Sequence, residues 1–85
     1  MNVTLKEWND LCDLAQSTCE ALNSKGCNVK FRPYYTSDGN RSIEFFVFDK
    51  FDNYFTNYYV GIGTYNEIKH LMRQTANRIM IECLR

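Results

Sequence analysis

A nucleophile with a base beside it is missing from this sequence. His70 is the single histidine, and nothing local aligns it with a cysteine. It falls off the apolar stripe of its predicted helix and reads as an exposed residue. Carboxylates are scattered; the nearest pair, Asp49 and Asp52, flanks Lys50 in a turn. The four cysteines, Cys12, Cys19, Cys27 and Cys83, include no Cys-x-x-Cys pair, and with one histidine the ligand spacing of a zinc site is absent. Cys12 and Cys19 lie about 10 Å apart along a helix axis, beyond the roughly 7 Å Cα separation that a disulfide spans. All four read as small buried apolar side chains. Gly61-Ile62-Gly63 precedes a predicted helix, as phosphate-binding turns do, but no third glycine or lysine follows directly and Glu67 would oppose a phosphate. It reads as a strand-to-helix connection. Neither a metal nor a cofactor is implied, and the chain is expected not to be an enzyme.

Net charge is missing too. Ten Lys and Arg balance ten Asp and Glu, so the chain as a whole neither steers toward a polyanion nor imitates one, and any contact with nucleic acid must be local. No apolar run approaches the roughly 18 residues of a membrane span. MNVTLKEWNDL has neither the basic start nor the continuous apolar core of a secretory signal. On that reading the protein is cytoplasmic, and the glycosylation-pattern triplets Asn2-Val3-Thr4 and Asn40-Arg41-Ser42 are chance matches. There is no internal repeat and no low-complexity tract. What is present is 45% hydrophobic and 15% aromatic residues in a chain of 85, the composition of a globular single domain spanning residues 1–85.

Two helix starts are clearly signed. Thr4-Leu5-Lys6-Glu7 has the capping-box form, with Val3 and Trp8 where a hydrophobic staple would close. From Leu5, the residues Trp8, Leu11, Cys12, Ala15, Cys19 and Leu22 follow steps of three and four and make one buried stripe. Lys25-Gly26 closes this helix, with Gly26 suited to a left-handed cap. Thr64-Tyr65-Asn66-Glu67 repeats the grammar, and Ile68, Leu71, Met72, Thr75, Ile79 and Cys83 supply the stripe of a second helix, about Tyr65 to Leu84. The first helix carries an excess of acid; the second, with Lys69, Arg73, Arg78 and Arg85, an excess of base.

Between the helices, Cys27 to Tyr35 alternates as a strand, and Pro33 places it at a sheet edge because proline cannot donate to a ladder. Thr36-Ser37-Asp38-Gly39-Asn40 is a turn signal, Ser42 to Asp49 a second strand, Lys50 to Asn53 a hairpin turn, and Tyr54 to Ile62 a third strand. The predicted class is α+β, in the order α-β-β-β-α. A three-stranded antiparallel sheet carries both helices on one face and leaves the other uncovered. The best inward set is Val29, Phe31, Ile43, Phe45, Val47, Tyr58, Val60 and Ile62. Lys30, Arg32, Tyr34, Glu44, Phe46, Phe48, Phe55, Asn57 and Tyr59 then point outward.

Ile43 to Gly63 holds all but one of the six phenylalanines and three of the six tyrosines, so aromatics fall on both faces of the sheet. An open face bearing Lys30, Arg32, Tyr34, Phe46, Phe48, Phe55 and Tyr59 marks an interaction surface for another protein. Two other arrangements account for the same rings: a homodimer packed sheet on sheet, or helices divided one on each face. The alternative function is nucleic-acid binding, with the rings stacking on single-stranded bases beside Lys30 and Arg32.

The order α-β-β-β-α, with a glycine-bearing third strand running into the second helix, resembles double-stranded RNA-binding domains. That resemblance implies a lysine cluster at the start of the second helix; here those positions read Tyr65-Asn66-Glu67-Ile68-Lys69, where only Lys69 remains. Small size, two capped helices around a meander, no cofactor motif and an aromatic-rich sheet also resemble small phage-encoded inhibitors of host defence, including anti-CRISPR proteins. This implies binding to a host nuclease or surveillance complex in the host cytoplasm. Many such inhibitors are acidic mimics of nucleic acid, and this chain is neutral.

Overall fold

Thr4 opens the first helix as its spacing predicts. In the computed structural model, which describes residues 2–35, 37 and 40–83, α1 spans Leu5–Ser24. The Thr4 hydroxyl accepts the Glu7 N–H at 3.2 Å, and the Thr4 N–H donates to the Glu7 carboxylate at 2.9 Å. These bonds satisfy two of the donors that a helix start leaves free. Trp8, Leu11, Ala15, Cys19 and Leu22 are buried on one stripe. At the other end Gly26 N–H donates to the Asn23 carbonyl at 3.1 Å and Cys27 N–H to that of Leu22 at 3.2 Å. This is a Schellman closure, and Gly26 supplies the positive φ of 99° that it needs.

The second helix, α2, spans Tyr65–Cys83 and begins with the same box, Thr64 N–H to Glu67 Oε1 at 3.1 Å and Glu67 N–H to the Thr64 hydroxyl at 3.4 Å. Ile68, Met72 and Ile79 are buried, with Ala76, Met80 and Cys83 packed beside them. Leu71, expected in this stripe, stands exposed on its flank. The terminal residues Leu84 and Arg85, and Thr36, Asp38 and Gly39 of the turn signal, lie outside the described residues.

Three strands, β1 (Asn28–Tyr35), β2 (Arg41–Phe48) and β3 (Tyr54–Val60), form one antiparallel sheet in the order β1-β2-β3. The connection between β2 and β3 is the expected tight turn. Asp49 N–H donates to the Asn53 carbonyl at 2.9 Å, the Asp49 carboxylate accepts the N–H groups of Phe51 and Asn53, and Asp52 takes a left-handed φ of 63°, which aspartate tolerates. α1 packs beside β1, α2 beside β3, and the helices touch each other. Val29, Ile43, Phe45, Val47 and Val60 close the core beneath them, with Phe31 and Tyr58 partly buried at its margin. The assignment of faces therefore holds along β1 and β2 and along β3 from Thr56 to Val60, and breaks at Phe55.

Ile62 is the exception. It is 87% exposed, because the strand ends at Val60 and the chain leaves the sheet through two constrained glycines. A Cβ on Gly61 would lie 2.5 Å from the Ser42 Cβ, and Gly63 has a φ of 126°. The third strand is thus two residues shorter than its apolar pattern suggests. Gly61→Ala is expected to push β2 and β3 apart locally and to destabilise the protein by about 1–3 kcal/mol, read as a lower urea midpoint. An unchanged midpoint would mean that the Gly61 contact with Ser42 is not tight.

Candidate functional site: the open sheet face

The register aligns three rows across the uncovered face. Arg32 lies opposite Glu44 and Glu44 opposite Tyr59; Lys30 opposite Phe46 and Phe46 opposite Asn57; Asn28 opposite Phe48 and Phe48 opposite Tyr54. At the centre is a carboxylate. Glu44 is only 2% exposed although no element of the chain covers this face; its neighbours on both strands close over it. Arg32 reaches its Oε1 at 2.8 Å, and Asn57 Nδ2 donates to its Oε2 at 2.9 Å. Burial by itself raises the Glu44 pKa. The hydrogen bonds from Tyr59, Asn57 and Arg32, together with the Arg32 charge, outweigh it and hold the carboxyl below its ordinary range. In return, the bond to Glu44 pushes the Tyr59 phenol up.

The rings are arranged around this ionic centre. The Arg32 guanidinium lies 5.7 Å from the centroid of Tyr34 and 5.3 Å from that of Phe46, and Lys30 lies 5.2 Å from that of Phe48, within reach of cation–π attraction. Tyr34 and Tyr59 meet edge to face at 6.2 Å, and Phe48 and Tyr54 at 6.5 Å. Tyr54 donates its hydroxyl to Asn57 Oδ1 at 2.8 Å. One chain of contacts thus runs Tyr54, Asn57, Glu44, Arg32, with the ends exposed and the middle buried. Tyr54 and Tyr59 remain 60% and 61% exposed.

Of the residues expected here, Lys30, Arg32, Tyr34, Phe46, Phe48 and Tyr59 come together on the face. Phe55 does not join the rows. Val47 pairs with Thr56 but Phe48 pairs with Tyr54, so Phe55 is the extra residue of a β-bulge, and Tyr54 takes the ring contact with Phe48 that simple alternation gives to Phe55. Phe55 instead borders a cleft shared with Cys27, Val47 and Cys83. Sequence reasoning placed Glu44 and Asn57 on this face without counting them among its binding residues, and missed Tyr54 altogether. Their signal was the register, which places Glu44 between a base and a tyrosine.

Away from this centre, all four cysteines are free thiols. Burial pushes Cys12 up, Cys19 up to about 11 and Cys27, whose thiol also bonds that of Cys83, up to about 12; these thiols stay protonated and unreactive at neutral pH. His70 is exposed on α2. Among the described residues no group of three or more His, Cys, Asp and Glu is placed to hold a metal ion, and no helix is long and apolar enough to cross a membrane. The chain matches no protein-family model, no curated protein and no solved structure.

Proposed function

We propose that this protein is a non-enzymatic binding module that docks its open sheet face onto another protein. One observation carries the reading: the face presents rings and an arginine whose charge is already met by Glu44. Interface centres favour aromatics and arginine over isolated charge. Among the described residues of the face, Lys30 is the cation left without a carboxylate beside it. That is a weak basis for gripping a polyanion, whose affinity rises with the number of phosphates neutralised. The arrangement therefore favours a protein partner over nucleic acid. In the form implied by the likeness to phage-encoded inhibitors, the partner is a host nuclease or surveillance complex in the cytoplasm.

The test is recovery of a stoichiometric protein partner from the native cell or host, followed by affinity measurement with Phe46→Asp/Tyr34→Ala. The carboxylate introduced at position 46 would have Arg32 beside it, so the variant is expected to fold, as circular dichroism will show. Loss of central aromatic anchors should weaken binding by roughly 30-fold or more. A folded variant that binds with full affinity would remove the face from the interaction. Salt-dependent binding of mixed oligonucleotides by the wild type, abolished in the variant, would replace the protein partner with nucleic acid.

A further inference from the structure

β1 and β3 are the two edges of the sheet, and among the described residues only β1 is guarded. On β1 the Asn23 side chain occupies the outward backbone groups of Val29, donating to its carbonyl at 3.0 Å and accepting its N–H at 2.8 Å. Backbone groups alternate sides along a strand, so Phe31, Pro33 and Tyr35 share that outward direction, and Pro33 has no N–H to present there. Lys30 and Arg32 add charge to the same strand. Side-chain cover, proline and charge are the devices by which edge strands avoid pairing.

Carried through the register, the same alternation settles β3. Pro33 pairs with Ile43 and Ile43 with Val60, so Thr56, Tyr58 and Val60 bond to β2 while the backbone groups of Asn57 and Tyr59 face outward. Tyr54–Val60 contains no charged residue and no proline. Among the described residues, no loop or side chain occupies the backbone of Asn57 or Tyr59. This row of unpaired donors and acceptors is shaped for an extended strand.

We infer that β3 pairs antiparallel with β3 of a second copy, giving a two-fold dimer with one continuous sheet. Three observations select a second copy. The strand is uncharged, so it meets itself without like-charge repulsion. The bulge at Phe55 leaves Thr56 to Val60 regular, and a two-fold axis at Tyr58, its midpoint, sets Asn57 opposite Tyr59 of the second copy, where the outward backbone groups of both match. Finally, the guarded β1 edge excludes head-to-tail growth, so the assembly closes at two chains. Pairing at the edge goes beyond the proposed docking face and would extend it across both copies.

Light scattering from micromolar to millimolar protein, with amide hydrogen exchange at the same concentrations, tests this. The mass should rise from one chain to two. The Asn57 and Tyr59 amides should become protected as it does, while those of Thr56, Tyr58 and Val60 are protected throughout. Tyr59→Lys keeps a partner for Glu44 and places an ammonium on the pairing edge; it should raise the dimer dissociation constant at least about tenfold, or ~1.4 kcal/mol. Asn57→Pro, the counterpart of Pro33, should abolish pairing, and Tyr59→Lys decides the matter if that variant does not fold. A single-chain mass at every concentration overturns the inference. So does a dimer whose Asn57 and Tyr59 amides exchange freely, since its copies would meet elsewhere, or a mass that grows beyond two chains.

Discussion

Glu44→Ala is expected to lower stability by about 2–3 kcal/mol. The substitution removes a carboxylate that is 2% exposed and accepts from Arg32 and Asn57, and hydrogen bonds to a charged group contribute about 1.5–3 kcal/mol each. The loss stays below their sum because the Arg32 side chain is 58% exposed and regains water when released. For a domain of this size about 1 kcal/mol moves the thermal midpoint by roughly 4–8 °C, so a fall of roughly 10–20 °C should appear in a melting experiment. Glu44→Gln separates charge from shape. The folded pKa of Glu44 lies below its ordinary value of 4.5. Its contribution is therefore complete above that value and lost as pH falls through the lowered folded one. Asp49 and Glu67, also held low by hydrogen bonds, act in the same direction, so the comparison must be between wild type and variant. The Glu44→Gln protein should show a flatter loss of stability below pH 4.5; an identical acid limb would mean that Glu44 has no net electrostatic role in the folded state.

The second large effect lies one residue away on the opposite face. Phe45 is fully buried, pairs with Phe31 and Tyr58 across the sheet, and its ring lies 6.5 Å from that of Phe31. Phe45→Ala should cost about 3–5 kcal/mol, lost burial plus a cavity that the sheet cannot collapse to fill. Against a total of about 5–15 kcal/mol for an ordinary domain, this small protein should be largely unfolded near physiological temperature. Phe46→Ala, on the uncovered face where the ring is only partly buried, should cost less, about 1–2 kcal/mol. Urea midpoints for the two variants measure which face is inside; equal losses would contradict the one-sided arrangement of the helices.

Much of this was legible because the signals were local. A capping box, a glycine at a helix end and a stripe at steps of three and four are decided within a few residues of chain, and each was found where its pattern placed it, save that Leu71 stands exposed on the flank of the second stripe. Alternation likewise separated Phe45 from Phe46. It failed where one residue changed the count: the bulge put Tyr54 rather than Phe55 against Phe48, and Gly61 ended β3 before Ile62. Neither event changes composition or period over a window long enough to register.

From its own residues the chain determined the order α-β-β-β-α, the starts of both helices and the end of the first, the core face of each strand except at Phe55, and a surplus of rings that the helices do not need. Those follow from short-range sterics and from the period of apolar side chains. Only the tertiary structure decided that Glu44 is buried on the uncovered face, that Arg32 is committed to it rather than left for a polyanion, and that the β1 edge is guarded by Asn23 while β3, the other edge, has no such guard among the described residues. Each of these depends on which residues of distant segments lie opposite one another, and that register is set by the packing of the whole sheet.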